Sequence, residues 1–207
     1  EEYRRIATYI CEALRAKSGN YMVFFSSYRM MEETAEAFTE LLETEEMHPQ
    51  LILQQQGMTE AEREAFLVRF EETPPEGLIG LCVMGGIFSE GIDLKAERLI
   101  GAIVVGPGLP QVCRERELLK NFYDARGEDG FFYAYLCPGM NKVLQSAGRV
   151  IRTEADEGVI LLLDERFAAA RYRNLFPAEW QAPQTCTLQT VQGCLAKFWS
   201  ERQTERI

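Results

Sequence analysis

The sequence has 207 residues, 46% of them hydrophobic and 26% charged, with a formal net charge of −10. That is enough chain for one substantial core, and with no apolar run near the roughly 18 residues of a membrane span, a cytoplasmic location with no membrane partner is expected. Six cysteines without a CxxC pair, and His48 as the sole histidine, make buried reduced thiols the expectation and a metal site not.

The acidity is regional. Residues 32–76 hold 13 acids against Arg63 and Arg69, whereas residues 139–152 hold three bases and no acid. A net negative chain can therefore still present a face to a polyanion.

In chain order, residues 3–17 read as an amphipathic helix with Ile6, Ile10 and Leu14 four apart. "YMVFF" follows as a strand buried on both faces. The loop "SSYR" (26–29) opens the next helix, on which Met31, Ala35, Phe38 and Leu42 share a face. Ser26 and Ser27 there suit either a plain N-cap or an anion site. "QLILQQQ" is a short strand, and in "MTEAEREAFLVRFEE" Thr59 is an N-cap with Glu62 as its capping-box partner. "LIGLCVMGG" is a buried strand that runs into "GGIFSEGIDL" (85–94), where glycines bracket Ser89, Glu90 and Asp93. Acids at the end of a buried strand must be solvated, paired or working. "RLIGAIVVGPGLP" is a strand with a Gly/Pro exit, which sets a turn or cradles a phosphate. A helix over 111–127, a helix over 139–152, a strand in "EGVILLLDER" and a last helix from Thr187 complete the chain.

On a helix over 139–152, Lys142, Gln145, Arg149 and Arg152 form one polar stripe, and Val143, Leu144, Ala147, Val150 and Ile151 take other sides. Gly148 inside such a helix costs about 1 kcal/mol relative to alanine, which suggests a close approach to its backbone. Arginine forks suit phosphate oxygens; a solvated basic face is the plainer reading. The alternation of short apolar strands with helices predicts an α/β fold, a mostly parallel sheet covered by helices on both faces, as a single domain over 1–207. Residues 176–207 read as a closing helical extension packed by Leu188, Val191, Leu195 and Phe198. Ligands of such sheets collect at the carboxyl ends of strands.

At this point the motifs acquire a resemblance. "QSAGRVIR" resembles the QxxGRxxR motif VI of superfamily 2 helicases. "GGIFSEGIDL" is similar to motif V, and "YMVFFSSYRMMEE" to the motif IV region, of the DinG/XPD branch. The resemblance covers roughly residues 3–180. It implies a RecA-like fold of the P-loop NTPase type, here without a Walker A loop, since no GxxxxGK[ST] occurs in the chain. It further implies the second motor domain of an ATP-dependent DNA helicase that translocates on single-stranded DNA in repair or replication. ATP and Mg²⁺, and any iron–sulfur cluster, would sit on a missing N-terminal RecA-like domain, and the isolated piece would bind none of them and be inactive.

By the same resemblance Arg149 and Arg152 are arginine fingers, and Gln145 contacts the γ-phosphate or orients water. Glu90, Gly91 and Asp93 couple the nucleotide cleft to the DNA track, and Ser26, Tyr28, Gly86 and Ser89 hold the strand's phosphates. Two alternatives stay open: a non-catalytic RecA-like module that binds nucleic acid or protein, and a small nucleotide-binding domain that uses the GPGLP loop.

Overall fold

The structure, a computed structural model, describes residues 1–86, 88, 99–148, 150, 157–180 and 183–205. Its framework is a parallel sheet of β1 (Asn20–Phe25), β2 (Gln50–Leu53), β3 (Leu78–Val83), β4 (Gly101–Val105) and β5 (Val159–Leu163), in the order β2-β3-β1-β4-β5. All six residues of β1 are buried, as its unbroken apolar run requires of a strand covered on both faces. The helices are α1 (Glu2–Ala16), α2 (Tyr28–Thr44), α3 (Glu60–Val68), α4 (Arg114–Asp124), α5 (Cys137–Ala147), the short α6 (Ala170–Arg173) and α7 (Val191–Glu205). The sheet is thus entirely parallel, as the alternation of elements predicted.

Alternate side chains of β1 serve two cores. Tyr21, Val23 and Phe25 pack with α1, α2 and α7 on one face. Met22 and Phe24 pack with Phe66, Phe70 and α5 on the other. The predicted stripes are the ones buried: Ile6, Ile10 and Leu14 on α1, and Met31, Ala35, Phe38 and Leu42 on α2. Two glycines make room for large rings in these cores. A Cβ at Gly101 would lie 2.4 Å from the Tyr21 ring, and one at Gly80 would lie 2.6 Å from Phe70. The Tyr21 hydroxyl reaches back to the end of α1, donating to Lys17 O at 2.8 Å with Ala13 O at 3.1 Å. Burial pushes that phenol well above its usual range.

The capping box at α3 is present in full, with Thr59 N donating to Glu62 Oε2 at 2.7 Å and Glu62 N to Thr59 Oγ1 at 3.4 Å. Ser27 caps α2, accepting from Met30 N at 3.3 Å.

The helix predicted over 139–152 is shifted. It begins as a π-helical turn at Phe132–Leu136, continues as α5 and ends at Ala147, with Gly148 as C-cap at φ −64° and ψ 0°. A Cβ at Gly148 would meet Leu144 O at 3.0 Å, a carbonyl of its own preceding turn. Gly148 therefore ends the helix, and among the described residues only carbonyls of that preceding turn come within 4 Å of where its Cβ would be. Of the four-residue polar stripe, Lys142 and Gln145 lie on α5, and Arg149 and Arg152 lie outside the described residues. Val143, Ala147 and Val150 are buried as predicted. At the far end, Leu188 precedes α7, and its deepest anchors are Val191 and Trp199, each 4% exposed. The cysteines also differ from expectation, because Cys11 and Cys82 are buried but Cys113 is exposed and the other three are half-buried.

Candidate functional site

Because every strand runs the same way, all five carboxyl ends line one edge. The register sets Phe25 beside Val83 and Val105, and Val105 beside Leu163. The chain also reverses its winding at β1, with β3 on one side and β4 on the other, and such a switch point leaves a crevice at this edge. Ser26, Tyr28, Gly86, the Gly106–Leu109 loop and the Asp164–Arg166 turn all follow directly from strands and so share it.

One buried amide binds three of these exits. Gln54, 3% exposed, follows β2, and its backbone N–H continues the ladder to Leu81 O at 2.9 Å. Its side chain then takes over: Oε1 accepts from Val83 N at 2.9 Å, and Nε2 donates to the Tyr28 hydroxyl at 2.8 Å. Met84 N donates to Phe25 O at 2.8 Å, closing the link between the first and third exits. Gly86 turns tightly, its N–H donating to Val83 O at 3.3 Å. A Cβ there would come within 3.3 Å of Gln54 Nε2.

On the facing side the stem of Lys142 lies over Gly85. Gly85 has φ +67°, and a Cβ on it would lie 2.9 Å from Lys142 Cε. A left-handed turn beneath a methylene stem admits glycine and little else.

The Gly/Pro exit of β4 is a packing turn. Gly139 of α5 presses against it so closely that a Cβ would lie 2.7 Å from Pro107 O. The Gly106 N–H is donated to Leu163 O at 3.2 Å, and Pro107 and Pro110 have no N–H. Within the turn that leaves the amides of Gly108 and Leu109. After β5, Arg166 grips Asp164 with Nε to Oδ1 at 2.8 Å and Nη2 to Oδ2 at 2.7 Å. Burial alone would raise the Asp164 carboxyl, but the Arg166 fork and its backbone N–H hold it below the usual carboxylate range. Arg166 is raised in turn, first by that same hydrogen bond. This fork is satisfied internally.

The structure thus brings Ser26, Tyr28 and Gly86 together on the carboxyl edge. Ser26 is exposed, Tyr28 half-buried, and Gln145 exposed on the last turn of α5. Arg149, Arg152, Glu90, Gly91, Asp93 and Ser89 lie outside the described residues. Sequence reasoning missed Gln54. Its signal, a polar residue closing an apolar strand in "QLILQQQ", is weak, because nothing local says which of three glutamines turns inward.

A family profile described as the helicase C-terminal domain matches residues 10–183. The chain belongs to that family. Its relatives in it include a probable ATP-dependent helicase of Methanocaldococcus jannaschii, 28% identical over 77% of this chain and 25% of that protein. The regulator of telomere elongation helicase 1 of Bos taurus is 35% identical over 78% of this chain and 14% of its own. The ATP-dependent DNA helicase DinG of Photobacterium profundum is 29% identical over 73% and 21%. The helicase C-terminal domain seen here thus spans a quarter or less of these relatives. Two solved XPD structures share its fold. One has a TM-score of 0.62 at 18% identity, covering 84% of this chain and 30% of that one. The other, an apo form, has a TM-score of 0.63 at 17% identity, covering 84% and 34%. The domain is therefore the C-terminal helicase domain of the DinG/XPD type, RecA-like in fold.

Proposed function

We propose that this domain is the second motor domain of an ATP-dependent helicase that translocates on single-stranded DNA. It supplies Arg149 and Arg152 to ATP and Mg²⁺ held on a first RecA-like domain. Those guanidiniums stabilise the charge that spreads over the transferring phosphoryl group, a contribution of about 10³–10⁵ in rate for such fingers. Gln145, exposed where α5 ends, contacts the γ-phosphate or orients the attacking water. Glu90, Gly91 and Asp93 couple the cleft to the strand. Ser26, Tyr28, Gly86 and Ser89 hold phosphates without reading bases.

The observation that carries this reading is the assembly of Ser26, Tyr28 and Gly86 on one sheet edge, where Gln54 links Tyr28 to the end of β3, within a domain of the helicase family. In the full-length protein, Arg149→Ala and Arg152→Ala should each remove most DNA-stimulated ATP hydrolysis while circular dichroism stays unchanged. Wild-type turnover in both variants would refute the finger assignment.

A further inference from the structure

The Gln54 amide has its orientation fixed by chemistry. A backbone N–H only donates, so the atom facing Val83 N at 2.9 Å must be the amide oxygen. The amide nitrogen then faces Tyr28 and donates to its hydroxyl oxygen at 2.8 Å. A phenol has one proton and one site of easy acceptance. With the acceptance used by Gln54, the Tyr28 proton is directed away from Gln54.

We infer that Gln54 is a positioning residue that sets the polarity of Tyr28, making its hydroxyl an outward donor to a phosphodiester oxygen at the carboxyl edge. The inference rests on the single-strand reading above and adds to it the group that keeps the edge donor-rich. Its burial at 3% exposed removes competing water, so the chain Val83 N–H to Gln54 to Tyr28 runs one way. The same amide holds Tyr28 in register with the Gly85–Gly86 turn, where a Cβ at Gly86 would meet it at 3.3 Å.

The decisive variant is Gln54→Glu, of the same shape. A carboxylate there only accepts. It would still take the Val83 N–H, but it would also take the Tyr28 proton and turn the phenol's lone pairs outward against a phosphate. Gln54→Met does the reverse: it abandons Val83 but leaves the Tyr28 proton available. A buried carboxylate also carries a desolvation cost, so the Tyr28→Phe background separates the two roles: a purely structural role predicts that adding Gln54→Glu weakens binding further there, whereas polarity predicts no further loss.

The test is fluorescence anisotropy of a labelled oligothymidylate with the full-length protein, across pH, with circular dichroism as the fold control. Gln54→Glu and Tyr28→Phe are each expected to bind about tenfold or more weakly at neutral pH, the scale of one hydrogen bond to a charged group. Gln54→Met should lose less. Binding by Gln54→Glu should recover as pH falls, because burial raises a carboxyl's pKa and the neutral acid donates to Tyr28 again. Wild-type affinity in Gln54→Glu, or a loss that does not respond to pH, overturns the inference and leaves the single-strand reading intact. If Gln54→Glu does not fold, the comparison of Gln54→Met with Tyr28→Phe decides, and equal losses overturn it. Failure of the wild-type protein to bind the oligonucleotide overturns the single-strand reading and this inference with it.

Discussion

Asp164 and Arg166 show how a charge at the sheet edge is kept in use. The carboxylate is 17% exposed and the guanidinium 50%, so the pair is partly screened and contributes about 1 kcal/mol. The Asp164 carboxyl titrates below its unfolded value. Its contribution is therefore complete above about pH 4 and is lost as pH falls through the lower folded value. Acid unfolding followed by circular dichroism should show that loss, and Asp164→Asn should flatten it. An acid limb identical in the two proteins would remove the pair from the stability account. Asp164 and Arg166 are two apart in sequence, yet the pair is not legible there, because DER after a strand reads equally well as a solvated turn. Gln54 was harder still, since its partners lie 26 and 29 residues away and both are identified only once three strands are paired.

Helix α1 shares its core with the sheet, and one aromatic adds a polar tie between them. Tyr21 fills the space left by Gly101 and ties the last turn of α1 by its hydroxyl. Gly101→Ala should destabilise the domain by about 1–3 kcal/mol through overpacking, read as a lower urea midpoint. In a Tyr21→Leu background the same substitution should cost less, since the clash partner is gone. Equal costs in both backgrounds would show that the strain lies elsewhere. At this scale the chain was largely legible. The stripes of α1 and α2, the run of β1 and the Thr59–Glu62 box depend on neighbours within one or two turns. Helix α5 was misplaced for an equally local reason. Residues 139–152 have a helical apolar spacing, but Gly148 stops the hydrogen-bonded helix while Val150 still reaches the core beyond it. On α7 the sequence spacing points to Phe198, whereas Trp199 is the more deeply buried of the two rings, with Lys17 Nζ 3.9 Å from the Trp199 ring centroid.

For the molecule as a whole, the parallel sheet supplies the seat that RecA-like domains share but lacks the GxxxxGK[ST] loop that would hold a nucleotide in it. In the Gly106–Pro110 exit the Gly106 N–H is donated to Leu163 O and the two prolines have none, which leaves the Gly108 and Leu109 amides as its whole offer to a phosphate. Isothermal titration of the isolated 207-residue chain with ATP should therefore give no binding tighter than millimolar, and micromolar affinity would reopen the GPGLP loop as a site. The order β2-β3-β1-β4-β5 has a further consequence in time, during synthesis. The ribosome delivers β1 first, but its two partners are β3 and β4. β2 pairs only with β3 among the described strands. Until residue 78 has emerged, the central strand of the sheet has no edge to join, and a nascent chain ending before β3 carries "YMVFF" uncovered on at least one side. Such a chain is a natural client for a chaperone that binds short hydrophobic segments, and the moment of release is set by the arrival of β3.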